Sequence, residues 1–359
     1  MLPGPSGPVL VENPTAMPQS SQAATASPAE LEGVLERVKS ARQAIVQELR
    51  KVIVGQDGPI DQVLVTMFAG GHCMIQGPPG TAKTLLATCI ARVMDLTFKR
   101  IQFTPDLMPS DISGTEILEE DQTSGHRVLK FAKGPVFSNI VMADEINRTP
   151  PKTQAALLEV MQERQVTLGG RTYPLPEPFY VLATQISLEQ EGTYPLPEAQ
   201  QDRFMLTISM DYLPEKSEVQ VVRHSTGAET VALQKVIGGD DLLTFTGAVR
   251  QVALPPVLSR YVVDLVASSR PTVEGCPDFV KEYVAWGAGL RASQNIALAA
   301  KSAAAQDGRA TVEAQDIRKA ILPVMRHRIG LSFRAEVDRV SVEDIVRRLV
   351  EACPEPKSN

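Results

Sequence analysis

The chain has 359 residues, 43% of them hydrophobic and 22% charged, which is ordinary for a soluble globular protein with a large core. Because 42 acidic residues outnumber 36 basic ones and give a net charge of −6, binding of DNA or RNA over a broad surface is disfavoured. The scattered cysteines and histidines form no metal-binding array, and no apolar run reaches the roughly 18 residues of a membrane span, so we expect a soluble cytoplasmic protein with reduced thiols.

The pattern along the chain predicts an α/β region followed by a helical one. The first residues are rich in Pro, Ser, Ala and Gln and have little to pack, which favours disorder. A helical stripe begins at Leu31, and over 70–210 short apolar runs alternate with helical patterns, as in a parallel sheet with crossover helices. After Pro214 the pattern is mainly helical, and Gly308 is expected to stop one long helix. The predicted units are a disordered tail over 1–30, an α/β domain with an N-terminal helix over 31–214, a smaller helical domain over 215–352 and a tail over 353–359.

The stretch MIQGPPGTAKTLLAT nearly matches the phosphate-binding loop G-x-x-x-x-G-K-[ST], with Ala82 in place of the second glycine. It follows an apolar strand and opens a helix, a context in which backbone N–H groups and the helix N-terminus cradle polyphosphate. Lys83 should reach the outer phosphates, and Thr84 should offer a hydroxyl to Mg²⁺. We expect Ala82 to suit the start of the helix through its helix propensity. The alternative is a Pro-Gly turn that precedes Lys-Thr by chance. The predicted loop residues are Gly77, Pro78, Pro79, Gly80, Thr81, Ala82, Lys83 and Thr84.

Two adjacent carboxylates, Asp144 and Glu145, end the apolar run NIVMADE. Ligands bind at the carboxyl ends of strands in open α/β sheets, so we expect the pair to lie near Thr84. Asp144 is expected to hold Mg²⁺, partly through water, because this ion takes few protein ligands. Glu145 is expected to act as the general base for an attacking water. A solvated acidic pair at a strand end is the alternative, which the preceding phosphate loop disfavours.

The runs FTPDLMPSDISGTEI, ADEINRTPPKTQAALLEVMQERQVT and EQEGTYPLPEAQQDRF closely resemble the MoxR branch of the AAA+ ATPases. The resemblance covers roughly residues 32–350, and members of this family commonly carry Ala at the position of Ala82. It implies a parallel five-stranded AAA+ sheet in the order 5-1-4-3-2, a helical lid domain, ATP and Mg²⁺ as cofactors, and a ring of identical chains, usually a hexamer. A partner with a von Willebrand factor A domain and a client protein are also implied.

Carried over residue by residue, the resemblance makes the loop the Walker A motif and the acidic pair the Walker B motif. Arg203 in QQDRF matches the arginine finger, which reaches the γ-phosphate of the neighbouring subunit and stabilises charge there. Arg291 in GAGLRAS matches the sensor 2 arginine, which contacts the nucleotide from the lid. The alternative for Arg203 is a surface arginine that caps a helix, and the alternative for Arg291 is an ordinary helix-surface arginine. The residues that match the segment lining the adenine pocket are Ile53, Val54 and Gln56.

One position departs from the family pattern. Members typically read LATQNP after the fourth core strand, whereas this chain reads LATQIS, with Ile186 in place of the sensor 1 Asn. Isoleucine cannot hydrogen-bond to a water or a γ-phosphate, so either Thr184 or Gln185 substitutes or hydrolysis is slow. A lost water-orienting contact can cost about 10²-fold in rate. Nucleotide binding should be retained.

Two β-hairpins are also predicted. RQVTLGGRTYPLP turns at Gly169-Gly170, and EILEEDQTSGHRVLKF turns at Ser124-Gly125 and matches the helix 2 insertion of this AAA+ clade. Both are expected to face the pore of a ring or a partner, with an exposed hairpin that binds nothing as the alternative.

The leading functional hypothesis is an ATP-driven remodeller of client protein complexes. A second hypothesis, motivated by Ile186, is a nucleotide-gated scaffold that binds ATP and assembles but scarcely hydrolyses it. A nucleic-acid motor is less favoured, because the chain is acidic and has no run of Lys and Arg.

Overall fold

The computed structural model describes residues 27–120, 127–185, 192–227 and 231–356. Ile186 and the predicted turn at Ser124-Gly125 lie outside these ranges, as do residues 1–26. The described helices are α1 (Pro28–Arg50), α2 (Asp57–Phe68), α3 (Lys83–Val93), α4 (Pro109–Ser113), α5 (Pro151–Glu163), α6 (Glu198–Gln201), α7 (Glu215–Ser225), α8 (Gly239–Gln251), α9 (Pro256–Ser268), α10 (Asp278–Tyr283), α11 (Leu290–Gln306), α12 (Ala314–Met325), α13 (Phe333–Val337) and α14 (Val342–Ala352). None of them combines the length and apolar character needed to cross a bilayer.

The described strands are β1 (Cys73–Gln76), β2 (Phe98–Gln102), β3 (Gly114–Glu120), β4 (Arg127–Lys133), β5 (Ile140–Asp144), β6 (Gln165–Leu168), β7 (Arg171–Pro174), β8 (Tyr180–Gln185), β9 (Leu206–Ser209), β10 (Val284–Trp286) and β11 (Gly330–Leu331). Five of them form one parallel sheet in the order β2-β5-β8-β1-β9. Counted among these core strands alone, that order is 5-1-4-3-2 when read from the other side, so the expected AAA+ topology is confirmed.

Helix α1 begins earlier than the predicted end of the disordered tail. The Glu30 carboxylate accepts a hydrogen bond from the Ser27 N–H at 2.7 Å, and the Ser27 hydroxyl accepts one from the Glu30 N–H at 3.4 Å. This capping box, with Pro28 at the first helical position, stabilises the first turn. Residues 28–30 therefore belong to the helix, and the tail predicted over 1–30 extended too far.

Hydrophobic packing is continuous between the sheet and the helices that follow it. Leu35 in α1, Ile75 in β1, Phe245 in α8 and Ile296 in α11 belong to one buried cluster on one face of the sheet. The opposite face packs on a second cluster, to which Met74 contributes because successive strand residues alternate between faces. Both β5 and β8 are buried along their whole length, as expected for strands covered on both faces.

The two predicted hairpins are present among the described residues and touch each other. β6 and β7 pair across Gly169 and Gly170, whose φ angles of 56° and 75° are those of a tight hairpin turn. β3 and β4 form the second antiparallel pair. The rings of Phe131 and Tyr173 lie 4.3 Å apart between centroids, so the two hairpins pack against each other.

Because all strands of the central sheet are parallel, its two ends carry different residues. At the carboxyl end, Gln76 is level with Gln185 on β8, and Gln102 is level with Asp144 on β5. At the amino end lies His72, which directly precedes β1.

At the amino end of the sheet, His72 is a neutral side chain that hydrogen-bonds to the backbone of β8 and of α5. Its Nδ1 accepts from the Val181 N–H at 3.0 Å, so Nε2 carries the proton and donates to the Met161 carbonyl at 3.3 Å. Burial, assisted by the nearby charge of Arg164, lowers the pKa of His72 to about 3. The buried His327 has its pKa lowered for the same reason.

These shifts predict that the protein loses stability in mild acid. Below its ordinary pKa of about 6.5 an unfolded His72 binds a proton that the folded form excludes, so the free energy of unfolding should fall by about 1.4 kcal/mol per pH unit down to the folded pKa. Urea denaturation at a series of pH values between about 7 and 5 should show a shallower pH dependence for His72→Gln than for the wild type. Equal slopes would contradict the assignment of a neutral His72.

Candidate functional site

The loop between β1 and α3 is shaped by a close contact with the segment after β9. The Met210 N–H donates to the Gln76 carbonyl at 2.8 Å. Gly77 has φ of 149°, and a Cβ there would lie 2.0 Å from the Met210 carbonyl oxygen, so only glycine fits. At Gly80, with φ of 82°, a Cβ would meet nothing within 4 Å. The space beside Gly80 is therefore free.

Ala82 does not occupy the position that its helix propensity suggested. It precedes α3 as the N-cap residue and has left-handed backbone angles, φ 67° and ψ 23°. This conformation disfavours any residue with a Cβ, whereas glycine adopts it freely. The helix-propensity explanation is therefore wrong, and Ala82 is held in place by the loop around it.

Lys83 folds its side chain back under the loop. Its ammonium donates to the carbonyls of Gly77 at 3.0 Å and Pro78 at 2.6 Å, and to the Thr81 hydroxyl at 3.3 Å. Burial lowers the pKa of Lys83, and the charges of Asp144 and Glu145 oppose that shift.

Asp144 and Glu145 lie at the carboxyl end of the sheet, the end at which the loop follows β1, as expected. Thr184 on β8 contacts both residues. The Thr184 hydroxyl donates to Asp144 Oδ1 at 2.5 Å and accepts from the Glu145 N–H at 2.8 Å. Gln185 accepts from the Gln76 side-chain amide at 3.0 Å, which joins β8 to the strand that leads into the loop.

Further contacts with the two carboxylates come from residues that the sequence did not single out. Arg100 Nε donates to Asp144 Oδ2 at 2.9 Å, and its Nη2 contacts the same oxygen. Glu145 Oε2 accepts from Gln102 Nε2 and from Arg148 Nη1, both at 3.0 Å. The sequence signal for these contacts is that Arg100 and Gln102, two residues apart, are polar side chains on one face of β2 near its carboxyl end.

The segment expected to line the adenine pocket packs beside the loop. Gln56 Nε2 donates to the Asp211 carbonyl at 3.1 Å, next to the residue that contacts Gly77. Ile53 and Val54 line an open cleft between this segment and α7. Both the cleft and the loop thus adjoin the chain just after β9.

Arg203 and Arg291 lie at the amino end of the sheet, away from the loop of their own chain. They line one cavity together with His72, where β1 begins. Arg291 donates to Asp202 at 2.8 Å, and Arg203 donates to the Leu158 carbonyl at 2.7 Å. The buried Arg328 holds Asp202 from the other side at 2.6 Å. This arrangement does not bring either arginine to the loop after β1 or to the acidic pair of the same chain.

Comparison with known proteins identifies the class. Residues 72–206 match the model of the ATPase family associated with various cellular activities, AAA, and residues 278–349 match the AAA lid domain. The sheet order and the loop described above agree with that assignment.

Within this class, the chain belongs to the MoxR-type ATPases. It is 42% identical to "Chaperone MoxR1" of Mycobacterium tuberculosis over 95% of this chain and 89% of that protein. It is 31% identical to "Protein MoxR" of Methylorubrum extorquens over 89% of this chain and 96% of that protein. A crystal structure of a proposed ATPase from Cytophaga hutchinsonii superposes with a TM-score of 0.84 at 41% identity, covering 92% of this chain and 99% of the other.

The left-handed backbone angles at Ala82 predict that glycine at this position makes the folded protein more stable. Ala82→Gly should raise the free energy of unfolding by about 0.5–1 kcal/mol, because relief of the backbone cost of about 1–2 kcal/mol exceeds the entropy that glycine adds to the unfolded chain. The matched control is Ala155→Gly on an exposed position of α5, which should cost about 1 kcal/mol. Similar losses in both variants, measured by urea denaturation, would contradict the strain at Ala82.

Proposed function

We propose that this chain binds ATP with Mg²⁺ and hydrolyses it. The observation that carries the proposal is the meeting of the phosphate loop and the acidic pair at one end of the sheet, where the charges of Asp144 and Glu145 act on the Lys83 ammonium. The open space over Gly80 and the cleft at Ile53 and Val54 support a ligand that has a polyphosphate and a flat ring.

The donors at this site suit Mg²⁺. Thr84 at the start of α3 and Asp144 at the end of β5 offer one hydroxyl and one carboxylate. The described ranges contain no cluster of three or more His, Cys, Asp or Glu that could hold a metal by itself. Mg²⁺ keeps several of its waters and needs few protein ligands. When bound, the ion would neutralise charge on the phosphate oxygens.

Glu145 is our candidate for the general base, and Gln185 for the residue that replaces the missing sensor 1 Asn. The Thr184 hydroxyl hydrogen is already committed to Asp144. Gln185, in contrast, uses its oxygen to accept from Gln76, which leaves its amide N–H groups as donors for a water or a phosphate oxygen.

Assembly into a ring, with a hexamer as the expected size, explains the position of Arg203 and Arg291. Since both lie at the end of the sheet opposite the loop, they would act on the nucleotide of a neighbouring copy. A guanidinium supplied in this way couples hydrolysis to assembly. Arg291, tied to Asp202 beside Arg203, would then transmit the nucleotide state to the helical lid proposed over 215–352.

The hairpins are our candidate client-binding surface. Leu118 and Leu129 face each other across β3 and β4 and remain 67% and 64% exposed. Neighbouring apolar side chains that remain exposed are typical of contact sites for other proteins. With a relative named a chaperone, this favours remodelling of client proteins, together with an accessory protein that has a von Willebrand factor A domain.

A nucleotide-gated scaffold with weak hydrolysis is the second candidate. It is favoured by the contacts of Gln102 and Arg148 with Glu145. Both side chains donate to Oε2 of the proposed base, so this oxygen is already engaged. Tight ATP binding with negligible phosphate release, and restored release in Ile186→Asn, would support the scaffold over the remodeller.

Replacement of Glu145 by Gln should abolish most hydrolysis while ATP binding persists. The amide keeps the shape of the side chain but cannot accept a proton, and loss of a general base costs about 10²–10⁴-fold in rate. Steady-state phosphate release and binding of a fluorescent ATP analogue measure the two properties separately. Wild-type turnover no faster than that of Glu145→Gln would refute the enzymatic proposal.

Mixing two inactive variants tests whether Arg203 acts between copies. Arg203→Ala should bind ATP but lose about 10³-fold or more in turnover. Lys83→Ala should lack a working nucleotide site yet retain Arg203. If the arginine acts on the neighbouring copy, a mixture of the two should regain part of the wild-type rate. Arg260→Ala, an exposed arginine on α9, is the matched control and should change nothing.

A further inference from the structure

Arg100 binds the same carboxylate that the proposed function assigns to the metal. Two of its nitrogens, Nε at 2.9 Å and Nη2, donate to Asp144 Oδ2. The other oxygen of Asp144 accepts from the Thr184 hydroxyl at 2.5 Å. Both carboxylate oxygens are therefore engaged with protein donors.

The burial of the two partners is unequal. The side chain of Asp144 is 11% exposed, whereas that of Arg100 is 48% exposed. A carboxylate this buried requires a compensating positive charge. Arg100 supplies that charge from the solvent side, where its guanidinium can withdraw without burying a new group.

Gln102 holds the guanidinium from a second side. Arg100 Nη2 donates to Gln102 Oε1 at 2.6 Å, and these residues lie two apart on β2, so their side chains share one face. Lys99 points to the opposite face. A guanidinium that leaves Asp144 would thus still have an acceptor in Gln102.

We propose that Arg100 is a counter-ion latch: it neutralises Asp144 and competes with Mg²⁺ for that carboxylate. This inference rests on the proposed function, because it takes Asp144 as the residue that holds the ion. Arg100 Nε and Nη2 occupy the lone pairs of Oδ2 that a metal-bound water needs, and a positive charge in this position repels a divalent cation. Release of Arg100 therefore accompanies binding of the ion, and the pair sets the Mg²⁺ concentration that the site requires.

Mg²⁺ titration of the full chain saturated with a fluorescent ATP analogue tests the latch. Arg100→Gln removes the positive charge and the paired contact of Nε and Nη2 with Asp144. It should lower the half-saturating Mg²⁺ concentration about tenfold. Arg100→Lys keeps the charge and should lower it by about threefold. Lys99→Gln removes the same charge from the other face of the strand and should leave it unchanged. An unchanged or higher Mg²⁺ requirement in both Arg100 variants would overturn the proposal.

A melting experiment gives a second readout that does not depend on hydrolysis. In EDTA, Arg100→Gln should melt below the wild type because Asp144 loses its counter-ion, and Mg²⁺ with nucleotide should raise its melting temperature more than that of the wild type. An equal Mg²⁺-dependent rise in both proteins would count against the latch. If Arg100→Gln does not fold in EDTA, the Mg²⁺-dependent rise in melting temperature is compared between Arg100→Lys and the wild type.

Failure of the latch and failure of the proposed function give different results. A wild-type chain that binds no ATP analogue, with or without Mg²⁺, would overturn the proposed function and the latch with it. Binding of the analogue with the same Mg²⁺ dependence in the wild type and both Arg100 variants would overturn only the latch.

Discussion

The pairing of β8 with β1 on one side and with β5 on the other is the constraint on which the site depends. β8 is buried throughout, and its last two residues face the two functional segments. Thr184 hydrogen-bonds to Asp144 and to the backbone of Glu145, while Gln185 hydrogen-bonds to Gln76 just before the phosphate loop. A shift of β8 by one residue would turn these side chains to the opposite faces and separate the loop from the acidic pair.

The same parallel arrangement places other functional side chains at the far end of the sheet. Arg203 and Arg291 share a cavity with His72, before β1, whereas the phosphate loop follows β1. A single copy thus has the loop after β1 and the acidic pair at one end of the sheet and the two arginines at the other. That polarity suits the proposed ring, in which each copy would complete the site of the next.

Charge compensation at the carboxyl end involves more residues than a motif description suggests. Asp144 and Glu145 face Lys83, Arg100 and Arg148, so the acidic pair is balanced by positive charges of the protein itself. A buried carboxylate without such partners would be costly. The consequence is that ligand binding at this site exchanges existing contacts and does not simply add new ones.

Much of the site could be predicted because its signals are local in the sequence. The phosphate loop, the acidic pair and the Gly169-Gly170 hairpin are short runs whose backbone requirements select particular residues, and the resemblance to MoxR proteins supplied the order of the sheet. The capping box of Ser27 and Glu30 was equally local and was overlooked. Arg100 and Gln102 could not be assigned, because their roles arise from the neighbouring strand β5, which lies about 40 residues further along the chain.

The sequence by itself determined the kinds of chemistry available: a loop that can cradle phosphate, two carboxylates after a buried strand, and arginines able to stabilise charge. The tertiary structure alone decided which of these groups meet. It placed Arg100 on Asp144, Thr184 between the two carboxylates, and Arg291 beside Asp202 at the far end. It also showed that Ala82 has left-handed backbone angles. The physical reason is that strand order and close approach, such as that of Met210 to Gly77, set the distances between residues far apart in the chain.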